Sequence, residues 1–143
     1  AAEIDLDFNV NVTTGTDGVL LGGSGGHADT AAGAKLALVT TRLAASAGPK
    51  IVERVGCITT PGETVDAVVT EVGVAVHPRR ADLRDRLRSA GIEVLSIEQL
   101  HALASGRSSR ARADASREAD ARIVGVVEYR DGRVTDVIRQ VFA

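Results

Sequence analysis

A glycine-rich stretch near the start of the sequence is the part of the chain best suited to chemistry. Its residues are Gly22, Gly23, Ser24, Gly25 and Gly26, and it lies between an apolar run and a small-residue run. Glycine has no Cβ, so such a loop lets another molecule approach the main chain closely. A loop that leads from a strand into a helix also leaves several backbone N–H groups without partners. These donors can hold a phosphate, or the negative oxygen that develops at a thioester carbonyl.

The loop does not match the common nucleotide-binding motifs. The spacing G-x-G-x-x-G is not met cleanly, and no acidic residue closes a second strand at the distance expected of a dinucleotide site. No Gly-Lys-Ser/Thr follows the glycines, which excludes a Walker A loop. Ser24 lacks the flanking residues of a Gly-x-Ser-x-Gly nucleophile elbow. A plain tight turn is the alternative interpretation.

Several polar side chains are candidates to act beside this loop. His27 follows the glycines and can donate to a carbonyl or phosphate oxygen, although a hydrogen-bonded structural histidine is the alternative. Asp29 can orient His27 or cap the following helix, and we expect the cap. Asn9 or Asn11 can reach the loop from the first strand. Glu71 ends a buried strand, where α/β sheets often place site residues, but a solvated strand-end carboxylate is equally consistent.

The elements that must position the loop begin with a strand. Residues 3–12 alternate strictly between apolar and polar side chains, and a period of two predicts a strand with one buried face. We expect the polar face to be solvated. Asp17-Gly18 predicts a tight turn, and residues 19–21 return as a short strand, so a hairpin delivers the chain to the glycine loop.

Strands and helices alternate in the middle of the chain. The patterns predict buried strands at 36–41 and 65–71, short strands at 74–77 and 92–95, and helices at 80–90 and 96–106. In the second helix we expect Leu100 and Leu103 to face inward. This alternation predicts an α/β domain with a mostly parallel sheet flanked by helices.

The last third of the chain predicts a loop and a second hairpin. Residues 107–120 combine serine, alanine and charges of both signs with little periodicity, which is typical of an exposed loop or linker. Asp131-Gly132 lies between two apolar runs and is a strong hairpin signal. We therefore expect antiparallel hairpins at both ends of the domain.

Composition argues against several classes of function. The chain has 143 residues, 44% hydrophobic and 2% aromatic, which suits one globular domain with an aliphatic core. A net charge of −2 argues against a nucleic-acid or anionic-membrane partner. No apolar run is long enough to span a bilayer, and no signal peptide is visible. The single Cys57 fits a reducing compartment, so we expect a cytoplasmic protein; the histidines show no zinc spacing, and no metal is expected.

Five motifs, in order along nearly the whole chain, resemble one family. They are EIDLDFNVNV at 3–12, GGSGGHADTAAGAK at 22–35, TPGETVD at 60–66, VTEVGVAVHPRR at 69–80 and YRDGRVTDVIRQV at 129–141. Together they resemble the C-terminal part of the citrate lyase alpha subunit. That subunit is a citrate CoA-transferase, related more distantly to acetyl-CoA hydrolases and butyrate-type CoA-transferases.

The resemblance implies a fold and a reaction. The fold is a two-domain alpha subunit several times longer than this chain, with an α/β sheet of the CoA-transferase, NagB/RpiA type. The reaction exchanges the acetyl group on a thioester carrier for citrate, giving citryl thioester and acetate. The thioester carrier is CoA or the CoA-like prosthetic group of an acyl carrier subunit, and the beta subunit, a citryl lyase, then cleaves the product. By this resemblance the loop Gly22 to Gly26 holds the thioester carbonyl or the adjoining CoA moiety.

The resemblance also implies that residues 1–143 form the C-terminal domain of a longer alpha subunit. The absence of methionine and the start at Ala1-Ala2-Glu3 favour the same expectation, with loss of an initiator methionine from a short protein as the alternative. The related transferases keep a glutamate well before the glycine loop, so we expect the catalytic carboxylate upstream and this chain alone to be inactive. Its partner would then be the N-terminal half of the subunit.

Two departures from the family leave the substrate open. The family usually has an Arg-Gly-Arg-Ile-Pro segment where this chain has ASAGP at 45–49, and asparagine where His77 stands. The first change removes positive charge that can meet citrate or a CoA phosphate. The alternatives are therefore a CoA-transferase or acyl-CoA hydrolase for another small carboxylic acid, and a non-catalytic CoA-binding or assembly module.

Overall fold

A computed structural model of the chain describes residues 1–107 and 121–141. Its helices in those ranges are α1 (His27–Gly33), α2 (Ala81–Ser89) and α3 (Ile97–Arg107). A 3-10 turn covers Gly62–Thr64. The strands in the first half are β1 (Glu3–Ile4), β2 (Val10–Asn11), β3 (Leu38–Thr40), β4 (Ala44–Ala45) and β5 (Gly48–Pro49). The remaining strands are β6 (Ala67–Thr70), β7 (Gly73–Val76), β8 (Val94–Leu95), β9 (Ile123–Glu128) and β10 (Val134–Arg139).

The predicted α/β class is confirmed, and the central sheet is mixed. Its strand order is β3-β6-β7-β8, with parallel pairing of β3 to β6 and of β7 to β8. The middle pair, β6 and β7, is antiparallel, because the chain reverses directly between Thr70 and Gly73. A connection this short cannot make the crossover that parallel neighbours need. The expectation of a mostly parallel sheet therefore holds for two of its three pairings, on either side of one tight turn.

The strand predicted at residues 3–12 is wrong, because the chain reverses inside it. β1 pairs antiparallel with β2, so that Glu3 faces Asn11 and Ile4 faces Val10. Between them the Asp5 carboxylate accepts the N–H groups of residues 7 and 9, at 3.1 and 2.9 Å. Phe8 takes a left-handed φ of 63° in this turn. The N-terminal hairpin is thus β1–β2. Residues 19–21 return after the predicted turn and pair back through a bridge from Leu20 to Thr14 and a hydrogen bond from the Leu21 N–H to the Thr13 carbonyl at 2.8 Å.

The polar face that we expected to be solvated is in part buried. Glu3, Asp5 and Asn11 have at most 1% of their surface exposed. Each carries hydrogen bonds that make burial tolerable, as when the Val55 N–H donates to Asp5 at 3.2 Å and the Gly56 N–H to Glu3 at 3.2 Å. Alternation shows that two faces differ, but it does not show that a partner segment covers the polar one.

The core lies between the central sheet, the first hairpin and α3. Its aliphatic members include Val39, Val68, Ile4 and Leu100. Residue Leu100 faces inward as predicted, whereas Leu103 is 42% exposed, so the expectation for that residue is wrong. Likewise only Val39 of β3 is buried, since one face of that strand is uncovered in the described residues.

Hydrogen bonds between Ser96 and Gln99 fix the residue at which α3 begins. The Ser96 hydroxyl accepts the Gln99 N–H at 3.2 Å, and the Gln99 side chain accepts the Ser96 N–H at 2.8 Å. This reciprocal pair is a capping box, which satisfies two of the donors that a helix start leaves free. None of the helices in the described ranges is long and apolar enough to cross a bilayer.

The predicted hairpin around Asp131-Gly132 is confirmed as β9–β10. It is fixed to the rest of the chain by polar contacts. The Ile58 N–H donates to Asp136 at 2.9 Å, and the Arg133 guanidinium pairs with Glu63 at 2.6 Å. The predicted loop at 107–120 begins with the last residue of α3 and otherwise lies outside the described residues.

Candidate functional site

The glycine loop is an open bend on the surface. Its four glycines are exposed, and Gly25 has a left-handed φ of 54°. A Cβ built on Gly22, Gly23 or Gly25 would meet no atom within 4 Å. The space in front of this main chain is therefore clear, as the approach of another molecule requires.

The loop also presents hydrogen-bond donors. Within the described residues, no protein acceptor receives the N–H groups of Gly23, Ser24, Gly25 and Gly26. The neighbouring N–H groups are used, since His27 N–H donates to the Ser24 carbonyl at 3.3 Å. Consecutive free N–H groups at a turn form a concavity that attracts negative charge. The bend can thus receive an anionic oxygen.

Asn11 supports the loop indirectly. Its side-chain oxygen accepts the N–H groups of Thr13 and Thr14, both at 3.0 Å. The Thr13 carbonyl in turn accepts Leu21 N–H at 2.8 Å and Gly22 N–H at 3.4 Å. The predicted supporting residue therefore acts through the turn that holds the entry to the loop, and its own hydrogen bonds are with Glu3, Thr13 and Thr14.

His27 holds the other end of the loop. Its Nδ1 lies 2.7 Å from the hydroxyl oxygen of Thr60, which is fully buried. This contact fixes the imidazole while leaving the residue partly exposed. The sequence pattern did not single out Thr60, although Thr60 begins the motif at 60–66, directly before Pro61-Gly62. The residue that orients His27 is therefore this threonine.

The expectation that Asp29 caps α1 is wrong. The N-cap is Gly26, and no side chain makes a capping hydrogen bond there. Asp29 lies inside the first turn, where its carboxylate is 3.8 Å from the Arg130 guanidinium. Both side chains are more than half exposed in that pair. An acidic group in the first turn still complements the helix dipole, so Asp29 favours the helix without closing its end.

Glu71 lies at the opposite edge of the sheet from the loop. It follows the carboxyl end of β6, whereas α1 and the 3-10 turn precede the amino ends of β3 and β6. Its carboxylate accepts the Leu43 N–H at 3.1 Å and pairs with Arg107 at 2.9 Å. Because those contacts join the sheet to α3, we assign Glu71 a structural role.

Segments that are distant in sequence meet around α1 and the 3-10 turn. The contacts are His27 with Thr60, Gly62 with Asn9, Asp29 with Arg130, and Glu63 with Arg133. Beside them, Asp66 pairs with Arg79 at 2.7 Å and with Arg80 at 2.9 Å. Members of all five motifs therefore assemble around α1 and the 3-10 turn, which sequence order alone did not show.

Two histidines make the stability of this region sensitive to pH. Burial lowers the pKa of His27 and of His77, and the Arg79 charge adds to the effect at His77. The unfolded chain binds protons with the ordinary histidine pKa of about 6.5. It therefore takes up more protons than the folded chain as the pH falls through that value, and the free energy of unfolding decreases.

We expect urea denaturation to show lower stability at pH 5.5 than at pH 7.5, with a smaller difference in a His27→Gln variant. NMR titration should find the His27 pKa below its ordinary value. A His27 that titrates at or above the ordinary value would contradict the burial argument.

Comparison with known proteins identifies similar chains. Residues 1–141 match a family model described as citrate lyase, alpha subunit. The citrate lyase alpha chain of Klebsiella pneumoniae is 52% identical over 141 residues, which are 99% of this chain and 27% of the relative. That of Escherichia coli K12 is 47% identical over the same shares of both chains. A crystal structure of the citrate lyase alpha subunit from Streptococcus mutans, in complex with citrate, superposes with a TM-score of 0.87 at 41% identity. The match covers 100% of this chain and 28% of that one, so this chain spans little more than a quarter of its relatives.

Proposed function

This chain belongs to the citrate lyase alpha subunit family, and on that premise we propose that it supplies the thioester-binding loop for acyl transfer to citrate. The reaction converts an acetyl thioester and citrate into citryl thioester and acetate. The carrier thiol leaves the acetyl carbon and joins a citrate carboxyl carbon, while one carboxylate oxygen moves to the acetyl group. No oxidation or reduction is needed.

The observation that carries the proposal is the row of unused donors in the glycine loop. Attack of a carboxylate on a thioester carbonyl places a negative charge on the carbonyl oxygen. Gly23, Gly25 and Gly26 are exposed and Ser24 is partly exposed, and within the described residues their N–H groups are not engaged by protein acceptors. One aimed donor of this kind is worth about 3 kcal/mol in the transition state.

The residues around the loop keep it ready for that charge. The His27–Thr60 contact and the Thr13 carbonyl hold its two ends. Donors fixed before the reaction need no reorganisation when the charge appears, which is the source of their catalytic value. The carrier, CoA or a CoA-like group, supplies the activated acyl bond when bound, and the open space over Gly22, Gly23 and Gly25 fits its approach.

The wider assignment belongs to the same proposal. We propose a CoA-transferase fold of the NagB/RpiA type, a C-terminal position in a longer alpha subunit, and a catalytic carboxylate outside this chain. The beta and acyl carrier subunits of citrate lyase are the proposed partners, and the cytoplasm is the proposed location. The buried Cys57, which has 1% of its surface exposed, is compatible with a reducing compartment.

The test is an exchange assay on a chain of full family length. In it, this sequence replaces the matching 141 residues of the Klebsiella pneumoniae relative, whose natural chain is the control. Labelled acetyl-CoA is mixed with citrate, butyrate or malonate, and the new thioesters are identified by mass spectrometry. We expect citryl-CoA and free acetate. Thioester formation with another acid but not citrate would favour a different CoA-transferase, and acetate release without a new thioester would favour a hydrolase.

A further inference from the structure

A second charged site lies at the far end of α1. A cleft of about 330 Å³ opens between the end of that helix and the residues that lead into α2. Alanines of α1 form one wall. Three cations and two carboxylates line the rest: Lys35, Arg79, Arg80, Glu63 and Asp66. We call it the cationic cleft.

The two arginines are held in place by one buried carboxylate. A single oxygen of Asp66 accepts Arg79 at 2.7 Å and Arg80 at 2.9 Å. The other Asp66 oxygen accepts the Ala37 N–H at 2.8 Å, which anchors the carboxylate to the start of β3. Arg79 also donates to the Glu63 carbonyl. The guanidinium groups therefore converge on one point and are ordered in advance.

The charges around the cleft do not cancel. Asp66 balances one of the two guanidinium groups. Arg80 also donates two hydrogen bonds to the two oxygens of Asp82, at 2.9 and 3.1 Å, but that carboxylate is 59% exposed, and solvent weakens a pair of this kind. Glu63 is engaged outward by Arg133 at 2.6 Å. In the part of the chain that the structure describes, no carboxylate lies within ion-pair distance of the Lys35 ammonium. The cleft therefore retains excess positive charge.

Chemistry and size narrow the kind of ligand. Guanidinium forks match the paired oxygens of carboxylate and phosphate groups, and lysine adds a point charge. The cleft volume is at the lower end of the range for small-molecule sites, about 300–1,000 Å³. Because α1 has seven residues, a ligand in the cleft lies roughly 10 Å from the glycine loop.

We propose that the cationic cleft binds a small polyanion through its carboxylate or phosphate groups, with Lys35, Arg79 and Arg80 as the three cations that attract it. The site is separate from the loop and does not require that the chain perform acyl transfer. The same chemistry occurs in a polycarboxylic acid and in the phosphates of a nucleotide-like carrier, which the experiment distinguishes.

The experiment is isothermal titration calorimetry on the 143-residue chain at low ionic strength, with citrate and with inorganic pyrophosphate as probes. We expect one of them to bind at one site, and Lys35→Gln to weaken it about tenfold, the value of one charged hydrogen bond. Arg79→Lys keeps the charge but loses the paired contacts to Asp66 and the Glu63 carbonyl that hold it beside the cleft, and it should weaken binding comparably. Citrate as the tighter probe indicates an acid site, and pyrophosphate a carrier-phosphate site.

A matched control separates this site from general charge effects. Arg86→Gln removes one positive charge from α2, and Arg86 does not line the cleft. It should leave affinity unchanged. Lys35 is exposed, so its variant should fold normally. No binding of either probe at millimolar concentration, or equal weakening by Lys35→Gln and Arg86→Gln, would overturn the proposal.

Discussion

A Gly25→Val substitution is expected to lower kcat for acyl transfer by about 100-fold or more, the usual cost of losing an aimed oxyanion donor. Gly25 has a left-handed φ of 54°, which a β-branched residue adopts only with strain. The new side chain would also project into the clear space in front of the free N–H groups. Both effects act on the same N–H groups. The backbone strain turns them, and the side chain blocks the approach of the thioester carbonyl. The measurement is the exchange assay with the family-length chain.

Gly91 provides the matched control for this substitution. It follows α2, has a left-handed φ of 74°, and is likewise open to space on its Cβ side. Gly91→Val therefore introduces similar backbone strain, roughly 1–2 kcal/mol, without touching the loop. It should lower stability and leave the transfer rate unchanged. Equal rates for Gly25→Val and the unmodified chain would show that the loop does not hold the reacting carbonyl.

Replacing Gly62 with alanine is expected to destabilise the fold by about 3 kcal/mol or more, beyond the usual overpacking cost. A Cβ at this position would lie 1.9 Å from the Asp7 carbonyl oxygen and 2.9 Å from the Asn9 nitrogen. Both are backbone atoms of the β1–β2 turn, so no side-chain rotation can relieve the overlap. The Gly62 N–H also donates to the Asn9 side chain at 2.9 Å, and separating the segments would break that bond.

Gly106→Ala is the control with the opposite sign. Gly106 lies within α3, and its Cβ position is open. Alanine at a helix position is more favourable than glycine by about 0.5–1 kcal/mol. Urea denaturation should therefore show a gain for Gly106→Ala and a large loss for Gly62→Ala. If Gly62→Ala lowers the free energy of unfolding by less than about 1 kcal/mol, the β1–β2 turn can move away from the new methyl group, and the prediction of a rigid contact is wrong.

Local signals predicted the later elements well. The pattern of residues 80–90 predicted α2, and Asp131-Gly132 predicted the last hairpin. Such features depend on residues close together in sequence, where turn chemistry and helix periodicity act directly. The same holds for Ser96, whose capping box starts α3.

Errors arose where distant contacts decide the outcome. The alternation of residues 3–12 concealed a chain reversal. The Asp5 carboxylate stabilises this turn by accepting the Asp7 N–H, and it also accepts the N–H of Val55, fifty residues away. The glycine loop was found by composition, but its holding partner Thr60 lies 33 residues later. The sequence pattern allowed two roles for Glu71, a site residue or a solvated strand-end carboxylate, and it gave no sign that Arg107 pairs with it. Sequence pattern located the candidate site, and tertiary pairing chose its supporting residues.

The polar attachment of β9–β10 bears on how the molecule assembles and opens. Its bonds to Ile58 and Glu63 span 78 and 70 residues, so a long stretch of chain must be closed before they form. Much of its apolar surface stays outside the core, since Ile123, Val124 and Val126 remain exposed while Val127 and Tyr129 are buried. This arm should therefore dock late in folding and separate first in native-state fluctuations. Ile58 lies two positions before Thr60. Each separation of this hairpin would therefore also loosen the Thr60–His27 contact that holds one end of the glycine loop.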